Sequence, residues 1–551
     1  PAATVASFGG GAVGGTAATN AAGTTATFGA GGSLTVNADG SYSLTAPAGF
    51  AGPLAFEYRL ANSAGGDVAS VTVTVTVPVA PTAAADGPTA TSVPGDPYHA
   101  AFNTAFALAA PGVIANDNLG TPVATATSFG GGSLGGAVTA NAAGATATFG
   151  TGGSLTVNAD GSVAFTPPSG FTGLFTFGYR TANVRGTSDA QVTIAVGVRP
   201  AAAADTYTPV LVGNVSINTG RSTQFNVTSN DTGTSIVPAL VGATNGTAVV
   251  NADGTFTFTP TRGYEGPASF SYTVTNGFGT TAPVTVSLTV GPPVFFVNAG
   301  AAAGGDGQFG APYNTLSGLA AANNGTGTNP ATGDRVFLYT GAYSGTVTLL
   351  GGQQLVGQGA TGASFGAVLG VTWPADAGPE PTVNGTAPTI TSATTGVTLG
   401  SGNTLRGFNL GNVTTGAALS GTGFGTLVVS GVGINTTGQA LSLTTGTLNG
   451  GFTQLRSTGG TNNVFLSGVA TTGTSTLGGA GDVLSGATGD AVVVAGGTGS
   501  FTYSGNVTQA SNAATVNVSG GHSGTLTFQT GTVSATNGTG LQFNNADGTY
   551  A

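Results

Sequence analysis

No cysteine, methionine or lysine occurs in this chain, and it holds one tryptophan and two histidines. The missing cysteines exclude disulfides, thiolate metal sites and cysteine nucleophiles together. Charged residues make up 5% of the sequence, and the net charge of −10 is thinly spread, with no basic patch. Nucleic acid is thereby excluded as a partner, since neutralising phosphates takes clustered Arg and Lys. No apolar run approaches the length that spans a bilayer. Sparse charge would suit a disordered chain only if apolar residues were also sparse, and they form 40% of this one. What is abundant is glycine, 99 of 551 residues, together with Thr, Val, Ser and Ala. Few helix formers and many turn and β-branched residues predict an all-β chain, too long for a single core.

One stretch occurs three times: GGSLTVNADGSYSLTAPAGFAGPLAFEYRLAN from Gly31, a near copy from Gly152, and GTAVVNADGTFTFTPTRGYEGPASFSYTVTN from Gly246. The aromatic pair Phe50 and Tyr58 recurs without gaps as Phe171 and Tyr179, then Tyr264 and Tyr272. Within the unit, Leu34 and Val36 alternate with Thr35, Asn-Ala-Asp-Gly intervenes, and Tyr42 and Leu44 alternate with Ser41 and Ser43. Period two buries one face and wets the other, so this is a β-hairpin. Gly40 supplies the positive φ of a short loop, and Asp39 bonds the turn backbone.

Residues 1–78 hold the second half of one repeat, ending in the alternating strand Val68 to Val77. A Pro/Ala-rich linker is read at 79–95, a whole repeat at 96–198 and another at 199–290. The first two copies carry a Gly/Ala insertion before NADG, read as an added hairpin. The Asp-x-Tyr starts at Asp96 and Asp205, the Asn-Asp pairs at 116–117 and 230–231, NADG, Phe-x-Tyr and a closing Val/Thr strand resemble the bacterial Ig-like, cadherin-like tandem repeats of large surface proteins. That resemblance implies β-sandwiches of about seven strands serving as a stalk.

Beyond Gly291-Pro292-Pro293, read as a stiff joint, the pattern changes. Val297-Asn298, Asp306-Gly307, Pro312-Tyr313 before a short helix near Leu316–Ala322, and Tyr343 resemble the opening of right-handed parallel β-helix domains of the pectate-lyase-like kind. Short strands then return about every nine to fifteen residues, as a solenoid of roughly ten coils requires. Residues 291–551 are therefore expected to form a right-handed parallel β-helix after the tandem sandwiches.

Asp96, Asn116, Asp117, Asp205, Asn230 and Asp231 are candidate calcium ligands, being hard oxygen donors at a domain start and in a loop. The related repeats continue with further Asp after Asn-Asp. Here Asn118-Leu119 and Thr232-Gly233 follow, so the set is depleted and little stabilisation by Ca²⁺ is expected. The same residues fit Asx-turns and strand caps. Trp373 near Asp376 and Glu380 is the candidate ligand site, an aromatic platform beside two carboxylates as a sugar would need. A Pro-rich excursion reads the same way on paper. The other carboxylates after Val294 are Asp306, Asp334, Asp482, Asp490 and Asp547, too scattered to pair. His99 and His522 lack metal-ligand spacing and are expected at the surface. There is no nucleophile elbow, phosphate loop or H-E-x-x-H.

The expected function is structural or adhesive, as a segment of a large secreted bacterial cell-surface protein and not an enzyme. A self-assembling sheath, surface-layer or filament subunit is one alternative; a β-helix carbohydrate-active lyase or glycosidase is the other. Expected partners are other copies or surface components, through strand addition at the first repeat, and glycans. Aligned by the Asn37-to-Asn158 offset, counterparts of Asn103 and Asn116 would precede Pro1. Either the chain continues a longer polypeptide, the favoured expectation, or a neighbour donates the absent strand.

Overall fold

The computed structural model describes residues 1–29, 31–88, 97–222 and 225–551 and is nearly all-β. Two compact units emerge. The first comprises residues 1–200 with Gly233–Ser235 and Asn276–Thr280; the second takes Ala201–Thr232, Ile236–Thr275 and Thr281–Ala551.

In the first unit the NADG stretches form the expected hairpins. Strands Gly32–Val36 and Tyr42–Thr45 pair antiparallel, with Leu34 opposite Leu44 and Val36 opposite Tyr42. Gly40 stands at φ +90°, and Asp39 Oδ1 accepts from the Ser41 amide at 3.0 Å and its hydroxyl at 2.7 Å. Those bonds, the hydroxyl's first, hold the Asp39 carboxyl below the usual carboxylate range. The Gly/Ala insertion adds two short strands, the second of which forms an antiparallel hairpin with Gly32–Val36. Its strand Asn20–Ala21 joins the sheet of Thr4–Gly9, Gly52–Asn62 and Gly65–Val75, while Thr25–Phe28 joins the sheet of Gly32–Val36. Successive strands thus serve opposite sheets of the sandwich, as Asn141–Ala142 and Thr146–Phe149 do in the second repeat.

The second repeat has sheets of five and four strands, with His99–Ala101 and Phe106–Leu108 at their edges. Residues 79–88, read above as linker, belong to this sandwich. The Val79 amide donates to Thr121 O at 2.7 Å, that of Thr82 to Asn118 O at 2.8 Å, and Asp86 bridges Val192 in parallel. A Pro/Ala composition suits an edge segment as well as a linker, because an edge strand leaves one row of amides unneeded. The rest of that stretch, 89–95, lies outside the described residues.

In the second unit, strand Val284–Val297 organises the architecture. Its first half pairs antiparallel with Gly266–Asn276, closing the third sandwich; its last four residues pair parallel with Arg335–Leu338, opening a solenoid. Gly291-Pro292-Pro293 therefore lies inside one continuous strand and is not a joint. A single core crosses the same place: Phe256, Phe258 and Tyr272 of the sandwich cluster with Phe296, Phe337 and Phe365 of the solenoid.

The solenoid has about seven turns rather than ten. Its early coils are lengthened by an excursion at 358–388 that carries the helix Phe365–Leu369. The expected helix Leu316–Ala322 forms, capped by Thr315 Oγ1, which accepts from the Gly318 amide. Parallel register stacks like residues in interior columns: Val347, Val397, Leu419, Leu441, Val464, Val492 and Val516 sit one above another, all buried. Some of the buried polar residues close corners. Asn403 Nδ2, for example, donates to Leu350 O at 2.7 Å and Gln353 O at 3.1 Å.

Candidate functional site

The acidic pairs of the two complete repeats surround a buried tyrosine. In the third, the Tyr272 hydroxyl lies 2.6 Å from Val227 O and 2.8 Å from Asp205 Oδ2. Asp231 Oδ1 accepts the Ala203 amide at 2.9 Å, and Asn230 Nδ2 donates to Ala204 O at 3.3 Å. In the second, the Tyr179 hydroxyl donates to Asp117 Oδ1 at 2.8 Å, which also accepts the Ala84 amide at 2.8 Å; Asn116 Nδ2 reaches Ala85 O. Asp96 lies outside the described residues. The position equivalent to Asp205 is Asp86, since Ala84 and Ala203 make the same bond to Asp117 and Asp231. The Ala-Ala-Ala-Asp run, 83–86 and 202–205, was the signal that the Asp-x-Tyr alignment overlooked.

These residues stitch the leading segment, the Asn-Asp loop and the central tyrosine together. Burial pushes the phenols of Tyr179 and Tyr272 well above their ordinary value and raises Asp205. It pushes the Asp86 carboxyl up to about 6, against the bond that Asp86 Oδ1 accepts from the Tyr98 hydroxyl at 2.7 Å. Calcium asks for six to eight oxygens. Each stitch offers two carboxylates with an oxygen already committed to a tyrosine or a backbone amide, a donor set that does not fit the ion. No group of three or more His, Asp or Glu side chains arranged to hold a metal is found among the described residues.

A pH dependence follows from Asp86. Its folded pKa is raised, so the fold favours the protonated form. The stabilisation is complete below about pH 4 and is lost as pH rises through about 6. Thermal melts between pH 4 and 6.5 will show the second repeat weakening by roughly 2 kcal/mol across that window. Asp86→Asn will remove the slope; an unchanged slope in that variant would contradict the assignment.

The Trp373 patch turns inward. Trp373 sits edge-on to Phe309 and Phe365, with ring centroids 5.2 and 5.4 Å away, and its Nε1 donates to Gly378 O at 2.9 Å. Asp376, 4% exposed, accepts the Tyr207 hydroxyl at 2.7 Å, and Glu380 Oε1 accepts the Gly366 amide at 2.7 Å. The excursion thus packs its aromatic between Phe309 and Phe365 and one carboxylate against Tyr207 of the third sandwich. Arg262, missed in the sequence, ties another part of this contact: Nη1 donates to Asp306 O at 3.0 Å, and Nη2 to Thr328 and Asn329.

Four of the remaining solenoid carboxylates hold turns and corners. Asp306 accepts the Gln308 amide and Asp334 the Ala331 amide; Asp482 accepts those of Leu455 and Gly479; Asp490 accepts from Ala514 and Asn517. His522 is buried rather than at the surface, its Nε2 3.0 Å from Gly499 O and Nδ1 3.2 Å from the Tyr550 hydroxyl. His99 is partly buried at the start of its edge strand.

Fold and residues together define a class: Ig-like sandwiches running into a parallel β-solenoid. Residues 80–195 and 200–289 match the family model of the bacterial Ig domain. No curated protein matches the chain. Similar solved structures include an endo-fucoidan hydrolase from glycoside hydrolase family 107, at 14% identity and TM-score 0.17, covering 49% of this chain and 38% of that one. Extracellular domains 3–5 of Drosophila OTK share 14% identity at TM-score 0.23, covering 47% and 77%. A three-Ig fragment of titin shares 10% at TM-score 0.18, covering 47% and 82%. The chain thus spans well under half of the fucoidan hydrolase, and likenesses of this size assign neither activity nor ligand. Among the described residues no helix is long and apolar enough to cross a membrane.

Proposed function

We propose that this chain is a structural or adhesive segment of a large bacterial cell-surface protein, with Ig-like repeats as spacer and the solenoid as the displayed element. The observation that carries the reading is the strand Val284–Val297, which runs from the third repeat into the solenoid, with one hydrophobic cluster spanning the sandwich, the first coils and the excursion. A load-bearing spacer needs such a connection; a catalytic domain on a flexible tether does not. Outer positions of the coils support an adhesive face. Thr398, Ser420 and Ser442 stack in register, as do Thr422, Thr444 and Ser467. Such rows, about 4.8 Å apart, offer hydroxyls to glycans or surface components without charge. The carboxylates that a lyase or glycosidase would use are engaged in turns and packing, which speaks for binding over cleavage.

Antibodies raised against the solenoid will label intact cells of the source bacterium. Labelling only after permeabilisation would overturn the surface assignment. Purified chain incubated with a polysaccharide panel will release no reducing or unsaturated ends, and such release would return the enzyme reading.

A further inference from the structure

The third repeat lacks the strand that covers one sheet edge in the first two. In the first, Thr25–Phe28 lies along Gly32–Val36, with Thr25 opposite Thr35, Ala26 opposite Leu34 and Phe28 opposite Gly32. In the second, Thr146–Phe149 covers Gly153–Val157 in the same register. The equivalent strand of the third repeat, Gly246–Val250, pairs with Phe256–Pro260 and ends its sheet. Asn245 alone joins it to Val237–Thr244, where the second repeat has residues 131–152 between the corresponding strands. The burial differs accordingly. Leu155 and Val157 are wholly buried, whereas Ala248 and Val250 are partly so and Val249 is 59% exposed.

The open edge has its main-chain groups in place. The Asn251 amide donates to Thr255 O at 2.8 Å and the Thr261 amide to Asn245 O at 3.0 Å. Antiparallel alternation then turns the amides and carbonyls of Gly246, Ala248 and Val250 outward. Among the described residues no backbone bond reaches them from that side. Edge strands are commonly blunted by charge, proline or a bulge. Here no charged residue occurs from Val237 to Ala252, and Pro238 and the register break at Leu240/Gly242 lie on the other strand.

We infer that Gly246–Val250 pairs with the same strand of a second copy of this chain. The occupant is spelled in the edge itself. The covering strands read Thr-Ala-Thr-Phe, and residues 247–250 read Thr-Ala-Val-Val. Laid antiparallel on its own copy with Ala248 on the two-fold axis, Thr247 falls opposite Val249 and Val250 opposite Gly246. Those are the places that Thr146 and Phe149 take opposite Thr156 and Gly153. Donor and acceptor are thus one strand in one register, as a two-fold interface requires. The glycine keeps its part as well. A Cβ on Gly153 would lie 2.8 Å from Phe149 Cε2, so the covering phenylalanine sits over that position. In the third repeat the Phe258 ring already fills the space beside Gly246, and a valine from the partner completes the cover. Pairing extends the three-stranded sheet into the partner's and shelters Val249.

The test is sedimentation velocity of the full chain over a concentration series, with amide hydrogen exchange at its two ends. A reversible monomer–dimer equilibrium is expected. In the dimer the amides of Ala248 and Val250 will slow by about tenfold or more, while those of Thr247 and Val249, bonded within the repeat, keep their rates. Val249→Lys, at an exposed position, will weaken dimerisation by about tenfold, and Val249→Asp will do the same. An equimolar mixture of the two variants will dimerise again, because opposite charges then face each other across the pair. A chain that stays monomeric at every concentration would overturn the inference. So would a dimer in which the Ala248 and Val250 amides exchange as fast as in the monomer, or one indifferent to both substitutions.

Discussion

Replacing Phe296 with alanine will destabilise the third repeat and the first coils of the solenoid together, by about 3–5 kcal/mol. Phe296 is fully buried in the hydrophobic cluster that takes residues from both the third sandwich and the solenoid, and its ring contacts lie on the solenoid side. It stacks on Phe365 at 6.0 Å and meets Phe309, Phe337 and Tyr339 at 5.3 to 6.4 Å. Removing the ring leaves a cavity among aromatics that come from the strand, the cap and the excursion. Rigid rings at such a crossing cannot close the gap, so the upper part of the range is expected. Hydrogen exchange will show protection falling in Gly266–Asn276 and in Arg335–Leu338 alike. A loss confined to one of the two would mean that the core is not shared.

Leu441→Asp will act on the other scale. Leu441 lies in the interior column between Leu419 and Val464 and is wholly buried. Among the described residues no arginine is buried to receive the new carboxylate, so the coil must open or hold the group protonated, at a cost of several kcal/mol. Because each coil of a solenoid leans chiefly on its neighbours, the damage will spread along the stack instead of through the whole chain. Coils after Leu441 will lose exchange protection, while the third repeat and the coils through Thr389–Ser392 keep theirs. Uniform loss across the second unit would show that the solenoid folds all or none.

How much of this was legible beforehand depended on whether the signal was local. The NADG hairpins were readable because alternation, an Asp and a positive-φ Gly all lie within a dozen residues. The solenoid opening was readable from its turn and aromatic pattern. Strand Val284–Val297 was not. Prolines 292 and 293 look like a break, yet they sit where the neighbouring Leu211–Gly213 strand shifts register and the missing amides are not needed. Asp86 was passed over because Asp-x-Tyr occurs at 96–98 and again at 205–207, whereas the equivalence rests on what Ala84 and Ala203 bond to. The Trp373 patch left two readings open for a related reason. An aromatic beside two carboxylates spells the same letters whether it faces a groove or, as here, packs on Tyr207 and Phe309.

The shared core of the third repeat and the solenoid is the central claim, and the chain carries a built-in probe for it. Trp373 is the only tryptophan and sits at that contact, between Phe309 and Phe365. Its fluorescence should be recorded through thermal unfolding of the full chain alongside far-UV circular dichroism, with acrylamide quenching in the native state. A single emission shift is predicted, coincident with loss of the second unit's β signal, and weak quenching before it. Ready quenching in the native protein, or a red shift completed while the β signal of the second unit is intact, would contradict the shared core.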